Sequence, residues 1–140
     1  MEIPILWLID DDVICRYACN YKLEQSGKKF EIIGHSSAFE GLTSLAAFLH
    51  ENKKLPDIIL LDLNMPGMDG WSFIEEIEKM GDTVSKIQIY ILTSFTNLND
   101  RKIAQQHPLI KGFFRKPLSL ANVEVIFSGI EIENVPETLI

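Results

Sequence analysis

Residues Asp57–Gly70 read DIILLDLNMPGMDG, and this stretch constrains the fold more than any other. Ile58, Ile59, Leu60 and Leu61 run apolar without alternation, and a carboxylate, Asp62, follows at once. A short unbroken apolar run between turn residues suits a strand covered on both faces, the situation in a parallel sheet. Asp62 then stands at the strand's C-terminal end, where open α/β sheets bind their ligands. Pro66, Gly67 and Gly70 break the chain into a tight loop before the next helical pattern. Ile5–Ile9 (ILWLI) repeats the same grammar and ends in Asp10, Asp11 and Asp12.

Helical and extended patterns alternate along the rest of the chain. Val13–Gln25 is expected to be helical, with Asp12 as N-cap or first-turn acid and Gly27 as the stop. Phe30–Gly34 (FEIIG) reads as a shorter strand with more polar flanks, nearer a sheet edge. Ser36 and Ser37 precede a helix over Ala38–Glu51, where Leu42, Leu45, Ala46 and Leu49 recur at helical spacing. After the Asp57–Asp62 strand, Trp71, Ile74, Ile77 and Met80 mark another amphipathic helix. Ile87–Leu92 is a strand ending at Thr93, Asn97–Gln106 a weaker helix stopped by His107-Pro108, and Ile110–Phe114 a strand leading to Arg115, Lys116 and Pro117. Leu118–Phe127 is a last helix; the tail Ser128–Ile140 has no clear period and either extends the helix, covers the sheet or is loose.

Strands alternating strictly with helices predict an α/β domain, a doubly wound five-stranded parallel sheet with five helices. Right-handed crossovers make the flavodoxin-like order 2-1-3-4-5 the leading topology. In that order Asp10 and Asp11 converge on Asp62 at the switch point, while Thr93 and Lys116 approach from the other side.

Length and charge narrow the classes. One domain accommodates 140 residues, and a net charge of −7 with a pI near 4.9 argues against phosphate-backbone binding. The pairs Lys28-Lys29 and Lys53-Lys54 read as solvated surface, so no nucleic-acid partner is expected. The apolar N-terminal run is short, carries Glu2 rather than a basic segment and ends in acids, so neither a signal peptide nor a membrane span is expected. Cys15 and Cys19 lack metal-spaced partners and read as small buried hydrophobes in a reducing compartment, which places the protein in the cytoplasm. Trp7 and Trp71 read as core and loop-edge packing, and none of His35, His50 or His107 has the setting of a phosphohistidine.

Three carboxylates crowded into one crevice repel each other, and a divalent cation relieves that. An all-oxygen site with few protein ligands suits Mg2+ better than Zn2+. A metal beside a carboxylate, a hydroxyl and an ammonium is equipment for phosphoryl transfer, with Asp62 as the nucleophile. Each residue also has a plainer reading: Asp12 as a helix cap, acids at strand ends as solvated turn residues, and Lys116 before Pro117 as surface.

Four segments carry a family resemblance: LIDDD (Leu8–Asp12), LLDLNMPGMDG (Leu60–Gly70), ILTS (Ile91–Ser94) and FFRKP (Phe113–Pro117). At this spacing the chain resembles the receiver domain of two-component response regulators, of the kind seen in single-domain chemotaxis regulators, over about residues 5–127. The resemblance implies that Asp62 is the phospho-acceptor, served by a histidine kinase or histidine phosphotransfer protein. It implies that Asp11, Asp62 and the backbone carbonyl of Asn64 bind Mg2+, that Asp10 acts through water, and that Thr93 and Lys116 hold phosphoryl oxygens. It also implies a cis Lys116-Pro117 bond and an aromatic switch, which here is Phe113 in concert with Thr93. Phe95, two residues after Thr93, either shields the acyl phosphate or packs on the following helix.

The expectation is a stand-alone receiver over residues 1–127 with a tail over 128–140, switching its affinity for a downstream protein that the sequence does not name. It would act catalytically only in its own phosphorylation and dephosphorylation, and phosphorylation-linked dimerisation is left open. The alternative is a phosphorylation-independent, receiver-like interaction module. A phosphohydrolase with an Asp nucleophile usually needs a second acid two residues on, where this chain has Asn64, and a cap for substrate. Flavin binding lacks its phosphate loop after the first strand.

Overall fold

The structure, a computed structural model, describes residues 2–94 and 97–133. Phe95 lies outside the described residues, as does the tail from 134 to 140. Five parallel strands, β1 (Ile5–Ile9), β2 (Glu31–His35), β3 (Ile58–Leu61), β4 (Gln88–Thr93) and β5 (Ile110–Arg115), lie in the expected order β2-β1-β3-β4-β5. Five helices connect or follow them: α1 (Val13–Gln25), α2 (Ala38–His50), α3 (Gly70–Glu78), α4 (Leu98–Gln106) and α5 (Leu120–Glu133). Among the described residues, no helix is long and apolar enough to cross a membrane.

The unbroken apolar runs are explained by burial on both faces. Every residue of β3 is buried, and its side chains alternate between two cores. Trp7, Ile9, Ile59, Leu61, Ile89 and Ile91 point to the side covered by α2 and α3. Leu6, Leu8, Ile58, Leu60, Tyr90 and Leu92 point to the side where α1 brings Cys19 and Leu23 and α5 brings Val123 and Ile126. β2 sits at one edge, as its polar flanks suggested.

Local chemistry sets most helix starts. Asp12 caps α1 by accepting from the Ile14 amide at 2.9 Å, and Ser37 caps α2 by accepting from Glu40 at 3.0 Å. Asp69 caps α3 through the Ser72 amide at 2.8 Å.

Several boundaries differ from expectation for identifiable reasons. β2 runs one residue later because its ladder begins with the Glu31 amide on the Pro4 carbonyl (2.8 Å) and reaches the His35 carbonyl, which accepts from Asp10 at 3.1 Å. β4 includes the fully buried Thr93, whose carbonyl accepts from the Lys116 amide at 2.9 Å. α3 stops at Glu78, short of Met80, and a 3-10 turn over Asp82–Val84 follows. α5 starts at Leu120 because Ser119 and Asn122 exchange side-chain and backbone hydrogen bonds (3.0 and 3.1 Å) in a reciprocal cap. It then continues through Ser128 to Glu133, so the first part of the expected tail extends the helix.

The Lys116-Pro117 bond is cis. Trp7 is a core residue, as expected, and Trp71 is half-buried. Cys19 is buried, but Cys15 is only partly so, packed against the edge of the same core.

Gly70 is where the loop after β3 returns against the strand end, its amide donating to the Leu63 carbonyl at 3.0 Å. A Cβ there would lie 2.7 Å from the Asp62 carbonyl oxygen and 2.9 Å from the Leu63 Cα, both backbone atoms that cannot swing aside. Gly70→Ala is therefore expected to destabilise the fold by about 1–3 kcal/mol, read as a lowered urea midpoint at unchanged m-value.

Candidate functional site

β1 and β3 are neighbours and end level with each other, so their next residues share one crevice. Asp62 continues the ladder, its amide donating to the Ile9 carbonyl at 3.0 Å, and Asp10 does the same toward His35. Both carboxylates are buried, at 6% exposure for Asp10 and 5% for Asp62. Asp11 is exposed at the rim, yet one carboxylate oxygen from each of Asp10, Asp11 and Asp62 falls within 4.8 Å of the others. The three acids singled out in the sequence are thus brought together.

Lys116, delivered by the turn after β5, reaches between the two buried acids. Its Nζ lies 2.7 Å from Asp10 Oδ2 and 3.4 Å from Asp62 Oδ2. Asp10 is further held by the Asp12 amide on Oδ1 at 2.9 Å. Among the described residues, Asp62 Oδ1 accepts from the Asn64 amide alone, at the longer distance of 3.3 Å.

This asymmetry sets the electrostatics. Burial pushes the Asp62 carboxyl above the usual carboxylate range; Lys116 pulls it down, while neighbouring Asp10 pushes it up further. Burial alone would depress the Lys116 ammonium, but the hydrogen bond and charge of Asp10, with Asp62 behind, outweigh that and hold it above its ordinary value. The lysine is satisfied mainly by Asp10, and Asp62 is left the less compensated of the two acids.

Thr93 is fully buried at the end of β4, and its hydroxyl oxygen accepts from Asn64 Nδ2 at 3.3 Å. A hydroxyl that accepts one bond still carries its own donor. Asn64 thus reaches the site by both backbone and side chain, whereas the sequence pointed only to its carbonyl. Phe113, the expected switch, is half-buried on β5 with the Arg101 guanidinium of α4 6.0 Å from its ring centroid.

The sequence reading missed Arg16. Its guanidinium donates to the Asp10 carbonyl, and its stem lies where a Cβ on Gly34 would touch it at 3.4 Å. The available signal was its place one turn after Asp12, a cation beside two thiols on a helix that has to face an acidic crevice.

The donor set suits a hard divalent cation, since every ligand atom on offer is oxygen and two of the carboxylates are already desolvated. A family model described as the response regulator receiver domain matches residues 6–127. The chain belongs to the response regulator receiver family. Over 94 residues, 67% of this chain, it is 34% identical to the response regulator PleD of Caulobacter vibrioides, of which it covers 19%. Over 106 residues, 76% of this chain, it is 28% identical to the DNA-binding transcriptional regulator NtrC of Salmonella typhimurium, of which it covers 20%. The receiver therefore spans about a fifth of the length of these two relatives. A two-component response regulator from Cytophaga hutchinsonii shares its fold with a TM-score of 0.87 at 23% identity, over 94% of this chain and 98% of that one. One from Legionella pneumophila superposes with a TM-score of 0.76 at 27% identity, over 93% and 98%.

The raised Asp62 carboxyl fixes the sign of a pH effect. A receiver whose folded acid titrates above its unfolded value loses stability as pH rises through the folded value. Without divalent cations, Asp62→Asn is expected to be more stable than the parent at neutral pH, with the difference shrinking as pH falls toward the usual carboxylate range. Denaturant unfolding at a series of pH values, with chelator present, checks both the sign and the trend.

Proposed function

We propose that this receiver accepts a phosphoryl group on Asp62 from a histidine kinase or a histidine phosphotransfer protein, and that the modified state changes which protein it binds. The observation that carries this reading is the position of Asp62: buried at the end of β3, under-compensated, and flanked by the Lys116 ammonium and the Thr93 hydroxyl. An Asp62 oxygen attacks the phosphorus of the donor phosphohistidine, the oxygen–phosphorus bond forms as the nitrogen–phosphorus bond breaks, and the imidazole nitrogen keeps the electron pair. Lys116 and Thr93 then bind oxygens of the acyl phosphate by charge and by the hydroxyl's free donor. Asp11, Asp62 and the Asn64 carbonyl would hold Mg2+, with Asp10 acting through water. When bound, the ion supplies charge neutralisation between the incoming phosphoryl oxygens and the acids.

In this reading the protein is a switch rather than an enzyme in the ordinary sense, and it works in the cytoplasm, in keeping with its free cysteines. Its output is a change of partner affinity on the face formed by α4, β5 and α5, where Phe113 lies. The net charge of −7 favours a protein partner over nucleic acid.

Intact-mass analysis after incubation with acetyl phosphate tests the chemistry. A gain of one phosphoryl group is expected with Mg2+, and none with Mg2+ withheld or in Asp62→Asn. No gain under any condition would favour a phosphorylation-independent interaction module. Lys116→Ala is expected to slow the modification by about a hundredfold, the usual effect of removing one charge-stabilising donor, provided circular dichroism shows the variant folded.

A further inference from the structure

Asp11 is the acid of the crevice with the least to hold it. It stands exposed at the rim, and among the described residues its carboxylate has no hydrogen-bond or ion-pair partner. One of its oxygens nevertheless lies within 4.8 Å of oxygens from Asp10 and Asp62. The two buried acids are aimed by Lys116 and by the amides of Asp12 and Asn64. The direction of the Asp11 side chain has to be set by the backbone on either side of it.

That backbone is anchored at three points. The Asp10 amide donates to the His35 carbonyl at 3.1 Å, and the Asp12 amide donates to Asp10 Oδ1 at 2.9 Å. Between them lies the peptide that joins Asp10 to Asp11. Its carbonyl oxygen accepts from the guanidinium of Arg16, which reaches back from α1. A peptide unit is planar, so holding its oxygen fixes the plane and with it the point from which the Asp11 side chain departs.

Arg16 is fitted to this place. Gly34 of β2, paired with Leu8 of β1, lies beside its stem. A Cβ at Gly34 would meet Arg16 Cδ at 3.4 Å and Nε at 3.7 Å, so a side chain longer than alanine's would crowd the stem. Arg16 also lines a small cavity beneath the acids together with Asp10, Asp62, Leu60 and Leu92. Lys116 is the cation that pairs with the two buried carboxylates, whereas Arg16 directs its donor to a neutral carbonyl. A guanidinium on a carboxylate competes with a metal ion for the same oxygens. One on the carbonyl orders Asp11 without covering it.

We infer that Arg16 is a positioning residue of the divalent-cation site, holding the Asp10–Asp11 peptide so that Asp11 presents an oxygen to the ion. This deepens the cation binding proposed above and rests on it. Two effects of the guanidinium oppose each other, which gives the inference a sign. As a positive charge near three acids, Arg16 repels a cation, and its removal would tighten binding. As the holder of the peptide it supports binding, and its removal weakens it.

Mn2+ binding to the full chain, with the free ion counted by electron paramagnetic resonance and Mg2+ added as competitor, tests the inference. Arg16→Met keeps most of the stem and removes charge and donors; Arg16→Gln also removes the charge but leaves a polar end suited to a half-buried site. Each should bind Mn2+ about tenfold more weakly than the parent, the lower end of what partners of metal-ligating groups carry. Arg16→Lys, which keeps the charge and a donor, should fall between them and the parent. Circular dichroism identifies the folded variants, and either neutral variant decides where the other does not fold. Affinity equal to the parent's overturns the inference, because a side chain that only braces α1 leaves the ion unaffected. Tighter binding overturns it in favour of the charge effect. A parent that binds no Mn2+ overturns the cation site and the inference together, whereas a parent that binds it beside unchanged variants leaves the site standing and removes only the role of Arg16.

Discussion

Two desolvated carboxylates lie side by side at the ends of β1 and β3, and a lysine between them allows it. Lys116 Nζ sits 2.7 Å from Asp10 and 3.4 Å from Asp62. Asp10 and Asp62 without that cation would each pay a desolvation penalty and repel the other. The strand order is what makes the contact geometrically available. β1 and β3 bring the acids together at the switch point, and β4 and β5 extend the sheet so that the turn after Arg115 returns the ammonium across the Thr93 end. The site is therefore a property of sheet topology first and of individual residues second. Because the lysine favours Asp10, the remaining electrostatic shortfall falls on Asp62, whose amide donor and ammonium both lie farther away than those of Asp10.

The parts of this arrangement that were legible in the sequence share one physical origin: they are local or periodic. An apolar run covered on both faces differs from one covered on a single face within four residues, as Ile58–Leu61 does. A cap such as Asp12 or Ser37 needs only a donor two or three residues ahead. Once five strands alternate with helices, the handedness of the crossovers leaves few orders, and the acids, Thr93 and Lys116 fall together. What was not legible involves polar partners far apart in sequence. Asn64 on Thr93, Trp71 on Asp100 and Glu78 on His107 are each separated by 29 residues, and no periodicity indicates which amide or acid a side chain will meet. The start of α5 was misplaced because apolar Leu118 looks like a first helical residue, while the Ser119–Asn122 reciprocal cap starts the helix later. Arg16 was overlooked for a related reason: its partner is a backbone carbonyl, which any residue carries.

The two sides of the sheet near β4 and β5 differ in how firmly they are held, and this bears on where a change at Asp62 can go. On the α5 side, Tyr90 stacks on Phe114 with ring centroids 5.4 Å apart and planes 10° from parallel. The ring fits because Gly112 and Gly129 leave room: a Cβ at Gly112 would lie 2.8 Å from Tyr90 Cδ1, and one at Gly129 2.8 Å from Tyr90 Oη. Gln88 ties the same place to the Gly129 carbonyl at 3.3 Å. With Val123 and Ile126 fully buried beside it, α5 is held by close apolar packing.

On the opposite side, α4 buries Ala104, packs along β5 and is tied to α3 by hydrogen bonds at its ends. Close-packed apolar contacts resist displacement over a few tenths of an ångström, because cavities and overlaps both raise the energy. Hydrogen bonds at a half-exposed surface exchange for water at a net cost of about 1 kcal/mol each. A strain introduced where β4 ends is therefore relieved at lower cost by moving α4 than by moving α5. Thr93 leads directly into the segment before α4, so the softer element is also the one next to the reacting centre. If Asp62 is modified as proposed, that difference in attachment directs the resulting strain toward α4 rather than α5.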